Sequence, residues 1–263
     1  MILLLGGTSE TAPLATELAE AGYRVLVSTA SDVELDVGRH ERISRRTGPL
    51  EAAEVVELIE GHGVRAIVDA THPYAERAHR MADEAGGRGG APVFRLHRPS
   101  ALASPGGADA AGDQDELLFA DDHERAAELA CRAGRSILLT VGANNVGIYV
   151  RHARAAGVAL AARVLDREQS LRACQEAGLA RERIVAGRGP FSQAENREHI
   201  RRFAADVLVT KDSGQAGGLA EKLAAARAEG CRVVVLRRPA ASGGARVFET
   251  IDDLVAAVKR IVV

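Results

Sequence analysis

The chain has no Trp, three Tyr and five Phe. That is too few flat rings for the successive base stacking that single-stranded nucleic acid requires. It lacks an excess of either charge as well. The formal net charge is −2, which gives no bulk attraction to nucleic acid or an anionic membrane. Cysteine is scarce: Cys131, Cys174 and Cys231 lie far apart, form no CxxC pair and are odd in number. They read as free thiols in a reducing compartment, and no metal-ligand spacing is present, so no metal is expected. Long apolar runs are missing. The opening MILLLGG has four apolar residues after Met1 with no basic segment before them, which does not read as a signal peptide. No run approaches the roughly 20 residues of a membrane helix. The expectation is a soluble, cytoplasmic protein. Lysine is the last scarcity. Lys211, Lys222 and Lys259 are the only three against 31 arginines. The arginine excess fits a GC-rich coding sequence, and it makes each lysine worth locating.

What is present is a repeating alternation. Hydrophobic residues make up 46% of the 263, enough for ordinary globular cores. Short β-branched or Leu-rich runs predict strands over 2–5, 24–28, 66–69, 92–96, 117–120, 136–140, 159–164, 183–185, 206–209 and 232–236. Ala-rich stretches predict helices over 9–21, 50–61, 73–85, 122–133, 167–177, 193–204, 217–229 and 251–261. Strands alternating with helices at this spacing make βαβ units and parallel sheets. A Pro-, Gly-, Ala- and Asp-rich stretch over 98–116 breaks the pattern and reads as a linker. The expected fold is therefore α/β, with two parallel-sheet domains and a cleft between them. One spans 1–97 and the other 98–263, with the last helix free to pack on either half.

Open α/β sheets bind ligands beyond the carboxyl ends of their strands, so the loops there carry the functional reading. In LLLGGTSETAPLA, Gly6 and Gly7 let the backbone approach a phosphate. Thr8, Ser9 and Glu10 then lead into a helix whose amino end favours an anion. It is not GxGxxG, and a plain capped turn is the competing reading. The second strand ends in Ser28 and Thr29, where an NAD site usually has an acid, and Asp32 comes only later. Hydroxyls there, followed by Arg39, Arg42, Arg45 and Arg46, favour NADPH over NADH. In DATHPYA, Pro73 suits a first helical turn. Thr71 and His72 then fall near the cap, and Tyr74 forms a flat wall. In ADVLVTKDSGQAGG, Thr210, Lys211, Asp212, Ser213 and Gly214 end a strand. Lys211 can hold a carboxylate or pass a proton. Thr140 and Gly142 in LLTVGANN, and Gly189 and Pro190 in AGRGPF, mark two further strand-end loops. A solvated turn is the competing reading for each.

LLLGGTSE, VSTAS, VDATHPYA, FRLHRPS, LLTVG, GPFSQAEN, LVTKDSG, GLAEKLAAAR and VVVLRRP occur in the order and spacing of one family. Over these stretches, from the first residue to about Pro239, the sequence resembles the precorrin-6A reductases of cobalamin biosynthesis. The resemblance implies two Rossmann-like domains and an oxidoreductase acting on a CH–CH group. Such an enzyme uses NADPH to reduce one double bond of the precorrin-6A macrocycle, or of its cobalt form, to precorrin-6B. A monomer or weak homo-oligomer is implied. The cofactor would then meet Gly6, Gly7, Thr8, Ser9, Glu10, Ser28, Thr29 and Thr71. The carboxylate-fringed ring would meet Thr71, His72, Pro73, Tyr74, Thr140, Gly142, Gly189, Pro190, Thr210, Lys211, Ser213 and Gly214. Lys211, Asp212 and His72 are the catalytic candidates. The proton donor stays open among Lys211, His72, a substrate carboxyl and water. Another NADP-dependent oxidoreductase and a non-catalytic dinucleotide sensor are the alternatives. A short-chain Tyr-x-x-x-Lys pair is absent, since Ala78 and Ala153 stand four residues after Tyr74 and Tyr149.

Overall fold

The computed structural model describes residues 1–30, 35–97, 117–212, 217–238 and 243–262. The expected linker, together with Ser213 and Gly214, lies outside them. The chain divides into two units, Met1–Arg98 with Pro239–Val263, and Pro99–Arg238.

The first unit is a six-stranded parallel sheet built around β1 (Ile2–Leu5), all four residues of which are buried. β2 (Val25–Thr29) and β3 (Ile43–Thr47) lie on one side of it. On the other side lie β4 (Ala66–Asp69), β5 (Val93–Leu96) and β12 (Arg246–Phe248). Counting along this unit, the strand order is 3-2-1-4-5-6, that of a dinucleotide-binding sheet. Side chains alternate across β1. Ile2 and Leu4 meet α1 (Thr11–Glu20) and α9 (Ile251–Ile261), while Leu3 and Leu5 meet α2 (Ala52–His62) and α3 (Glu76–Gly89).

The sixth strand comes from the far end of the chain. β12 pairs with β5, Phe248 stacks on Phe94 at 6.1 Å, and α9 buries Leu254 and Val258 in the first unit's core. Tyr23 Oη donates to Val262 O at 2.8 Å. The single span expected for the second domain, 98–263, is therefore corrected. Its last residues complete the first sheet, because a five-stranded sheet would leave the edge of β5 and one apolar face uncovered.

The second unit repeats the architecture. Its sheet contains β6 (Leu117–Ala120), β11 (Arg232–Leu236), β10 (Val207–Lys211), β7 (Ser136–Leu139), β8 (Ala159–Val164) and β9 (Ile184–Ala186), in that spatial order and all parallel. α7 (Gln193–Arg202) and α8 (Leu219–Ala228) cover one face through Ile200, Leu219 and Leu223. α4 (His123–Ala133) and α5 (Val146–Ala156) bury Ala126, Ala130, Tyr149 and Val150. α6 (Glu168–Glu176) links β8 to β9. In each unit the connections leave the sheet in opposite directions on either side of one point. That point lies between β1 and β4 in the first unit and between β7 and β10 in the second.

Candidate active site

In the first unit the loop after β1 is organised by a residue that the sequence pattern did not single out. Thr11, the first residue of α1, turns its hydroxyl back and accepts Gly7 N at 3.0 Å and Thr8 N at 3.2 Å. Two amides expected to face a phosphate are thus already held. The signal was a second Thr three residues after Thr8. Gly6 has to be glycine, since a Cβ there would stand 2.6 Å from Thr11 Cγ2. Gly7 has φ +129° and open space where a Cβ would be, so it presents bare backbone. Thr8 Oγ1 donates to Ala70 O at 2.9 Å and ties this loop to the end of β4 across the switch point. Ser9 faces outward beside it. A cleft of about 590 Å³ opens here, lined by Thr8, Ser9, Pro13, Asp36 and Arg39 among others.

Two arginines meet the end of β2. Arg46 Nη1 donates to Ser28 Oγ at 2.9 Å, and Arg45 Nη2 donates to Thr29 Oγ1 at 3.1 Å. β3 runs beside β2 with Arg46 opposite Ser28 and Arg45 opposite Val27. Strand alternation therefore places the two arginines on opposite faces. The other partners of Arg46 are carbonyls, Gly48 O and Pro49 O, with no carboxylate among the described residues. Asp36 lines the neighbouring cleft and accepts Gly38 N at 2.9 Å.

The end of β4 departs from the expected cap. α3 begins at Glu76, not at Pro73, and its cap residue Ala75 makes no side-chain bond. Thr71 points back instead, donating Oγ1 to Asp69 Oδ1 at 2.7 Å. Asp69 is wholly buried. His79 Nδ1 lies 2.7 Å from its Oδ2, and Arg95 Nε donates to the same oxygen at 2.9 Å. Burial pushes this carboxyl up, but hydrogen bonds from His79, Thr71 and Arg95 and the His79 charge outweigh it and hold the group at about 2. Arg95 also reaches Asp83 Oδ1 at 3.2 Å. His72 is exposed, its Nδ1 accepts Tyr74 N at 3.3 Å, and the two rings lie 5.7 Å apart. Pro73 and Tyr74 are half-buried.

In the second unit Lys211 ends β10, half-buried, opposite Leu236. Asp212 is buried against Arg238, whose Nε donates to Asp212 O at 2.7 Å and whose Nη2 lies 3.4 Å from Oδ1. Asp212 and Arg238 thereby link the ends of β10 and β11. Thr140 Oγ1 donates to Val209 O at 2.9 Å. Thr210 Oγ1 is fully buried and has no partner among the described residues. Gly142 turns the loop after β7 with φ +89°.

Near Lys211 stands a group the sequence pattern did not single out. His123 Nε2 accepts from Asn145 Nδ2 at 2.9 Å, and its Nδ1 lies 2.9 Å from Tyr149 Oη. Burial first, and then the Lys211 charge, push this imidazole down to about 4 against the pull of Asp122. Hydrogen-bonded at both nitrogens, the ring pins α4 to α5.

Gly189 and Pro190 lie after β9, where Phe191 stacks under a buried arginine, Arg163 Cζ standing 4.1 Å from the ring centroid. A larger hollow of about 740 Å³ lies at the amino ends of β7 and β8, lined by Cys131, Arg135 and Val158 among others. It is at the opposite end of this sheet from the second unit's candidates. Among the described residues no cluster of three or more His, Cys, Asp or Glu could hold a metal ion. No helix among them is long and apolar enough to cross a membrane.

Residues 1–259 match the family model described as Precorrin-6x reductase CbiJ/CobK. A cobalt-precorrin-6A reductase of Priestia megaterium is 32% identical, with 98% of each chain covered. A precorrin-6A reductase of Rhodococcus erythropolis is 35% identical, covering 98% of this chain and 95% of the relative. The solved structure of a CobK precorrin-6A reductase superposes with a TM-score of 0.74 at 24% identity, over 98% of this chain and 96% of that one. It supports the fold alone.

Proposed function

The chain belongs to the precorrin-6x reductase family, and from that premise we propose that it is a precorrin-6A reductase of cobalamin biosynthesis. It reduces one macrocycle double bond of precorrin-6A, or of the cobalt form, to give precorrin-6B, with NADPH as the reductant. When bound, NADPH supplies the hydride, and a proton goes to the other end of the reduced bond.

The observation that carries the cofactor reading is Arg46, anchored on Ser28 with only carbonyls as further partners. A guanidinium held there without a carboxylate among the described residues matches a 2′-phosphate. Gly7 offers a bare backbone face and Ser9 a hydroxyl to the diphosphate, beside the amino end of α1. Thr11 keeps that loop in place. On the macrocycle side, Lys211 is the cation at the end of β10, and Asp212 orients the strand ends through Arg238. His72 and Tyr74 supply an exposed flat edge at the end of β4. Thr71 has its hydroxyl committed to Asp69, so it shapes the loop and does not contact ligand through that group.

Incubation with precorrin-6A and NADPH tests the reading. The expected product is heavier by two hydrogen atoms, with one NADPH consumed for each macrocycle. Unchanged macrocycle beside intact NADPH contradicts it. Asp36 favours a second dinucleotide, because an acid in the cleft can take a ribose hydroxyl. Faster turnover with NADH would transfer selectivity from Arg46 to Asp36.

A further inference from the structure

We propose that Arg163 and Lys222 form a buried anion site in the second unit that seats one carboxylate of the substrate macrocycle. Arg163 is 6% exposed and Lys222 8% exposed. Buried cations are ordinarily paired with acids. Among the described residues neither of these makes an ion pair. Lys222 Nζ donates once, to Gly217 O at 2.9 Å, which leaves two of its three donors unused. Arg163 uses only Nη1, which lies 2.8 Å from Asn196 Oδ1 and 3.1 Å from His199 Nδ1. Its Nε and Nη2 have no partner among the described residues. Those two N–H groups share one edge of the guanidinium, the edge that takes both oxygens of a carboxylate.

The surroundings fix that edge. Phe191 stacks under the guanidinium at 4.1 Å, and His199 meets the same ring edge-on at 5.6 Å. Asn196 Nδ2 donates to Phe191 O and Ser192 O at 3.0 and 2.8 Å, so its Oδ1 is aimed at Arg163. The entry to α8 abuts the same loop, since a Cβ on Gly218 would lie 3.5 Å from Pro190 Cβ. Lys222 is near enough to Arg163 for that charge to act on it. Burial first, and then Arg163, lower its ammonium to about 8, with Glu221 opposing. The neighbouring acids do not neutralise the pair. Glu195 is exposed and its carboxylate accepts from Ser192, and Glu221 is exposed on α8.

A third polar group points the same way. Thr210 stands opposite Val235 and Arg163 opposite Val185, and both valines belong to the single apolar cluster under α7 and α8. Thr210 and Arg163 therefore leave the sheet on one face, at the carboxyl ends of strands only two places apart. Thr210 Oγ1 is the sole enclosed, unpartnered polar side-chain atom among the described residues. The free N–H edge of Arg163 is thus not enclosed and can be reached from outside. Two unpaired cations and an orphan hydroxyl are an arrangement that an anion completes.

The identity of the carboxylate rests on the reductase reading; the anion site itself does not. Three lysines in the chain make the test direct. Protein labelled with ¹³C at the lysine ε-carbon gives three signals, and Lys222→Met identifies one by its loss. With precorrin-6A bound, the Lys222 signal moves and its titration midpoint rises, while Lys259 is unmoved. Lys222→Met raises KM for the macrocycle roughly tenfold or more, the worth of one charged hydrogen bond. Its NADPH affinity is unchanged and its thermal midpoint is no lower. A purely structural lysine gives the opposite pattern, a lower midpoint with unchanged KM, which overturns the proposal. An unmoved Lys222 signal in protein that turns over also overturns it. If the wild type binds no macrocycle, the reductase reading fails, and a titration with sodium propionate decides the site alone. Movement of the Lys222 signal keeps it, and no movement ends it.

Discussion

Two buried charged clusters, one in each unit, are built in opposite ways. In the first, the wholly buried Asp69 is surrounded by His79, Arg95 and Thr71, and Arg95 is shared with Asp83. In the second, Arg163 and Lys222 are buried almost as deeply and meet only neutral acceptors and a ring. The same physics reads them differently. A buried charge with matched partners serves the fold, because removing one partner strands the rest. A buried cation pair without acids costs stability wherever it is kept, and such costs concentrate where a ligand is bound. The first network holds the switch-point loops in place. The second is a seat for something that is not protein.

The largest effect should come from breaking the paired side. Asp69→Asn removes the carboxylate that Arg95 Nε, His79 and Thr71 share and should cost about 3 kcal/mol in urea unfolding. A change below about 0.5 kcal/mol would place the network among ordinary surface features. The pH dependence carries a sign. Asp69 is held at about 2 against 3.8, so its contribution is complete above about pH 4 and disappears as pH falls towards 2. It amounts to roughly 2 kcal/mol. The variant should lack that limb of the acid curve.

Next in size is the unpaired side. Lys222→Met should make the protein more stable at pH 7 by about 2 kcal/mol, less than the full linkage value because the bond to Gly217 O is lost. The folded ammonium titrates at about 8 instead of 10.5. The penalty is therefore complete below pH 8 and fades as pH rises to 10.5, and the variant's advantage should shrink over the same window. A destabilised variant would put Lys222 in the same class as Asp69 and erase the contrast. The smallest effect is expected at Thr11→Val. It frees Gly7 N and Thr8 N and should cost about 1 kcal/mol, the range of a helix-end hydroxyl. Loss of NADPH affinity well beyond that would give Thr11 a direct place in the cofactor site.

Much of the scaffold was legible in the sequence. The runs ILLL, AIVD and VLVT are strands because central parallel strands are buried on both faces and read as continuous apolar segments. β3 and β12 escaped that reading. ISRRT and RVF lie on sheet edges, where polar side chains are tolerated. α5 was missed because VGIYV is rich in β-branched and aromatic residues yet is helical. The ligand loops were legible because they follow strands. Their partners were not. Arg163 lies within ALAARV and Lys222 within LAEKLAAARA, and nothing in either run marks its cation as buried. The pairing of Arg46 with Ser28 depends on β3 lying beside β2. The Thr71 hydroxyl was expected at a helix cap and went to Asp69, because a buried carboxylate is the stronger acceptor.

A 2′-phosphate at the end of β2 is what separates NADPH from NADH as the proposed cofactor. Fluorescence titration with NADPH and NADH, on the wild type and on Arg46→Ala, tests it most directly. The prediction is tight NADPH and weak NADH binding in the wild type. In the variant, NADPH affinity should fall at least tenfold, the worth of one charged hydrogen bond, with NADH unmoved. Equal binding of both dinucleotides, or an Arg46→Ala protein that still prefers NADPH, would contradict it.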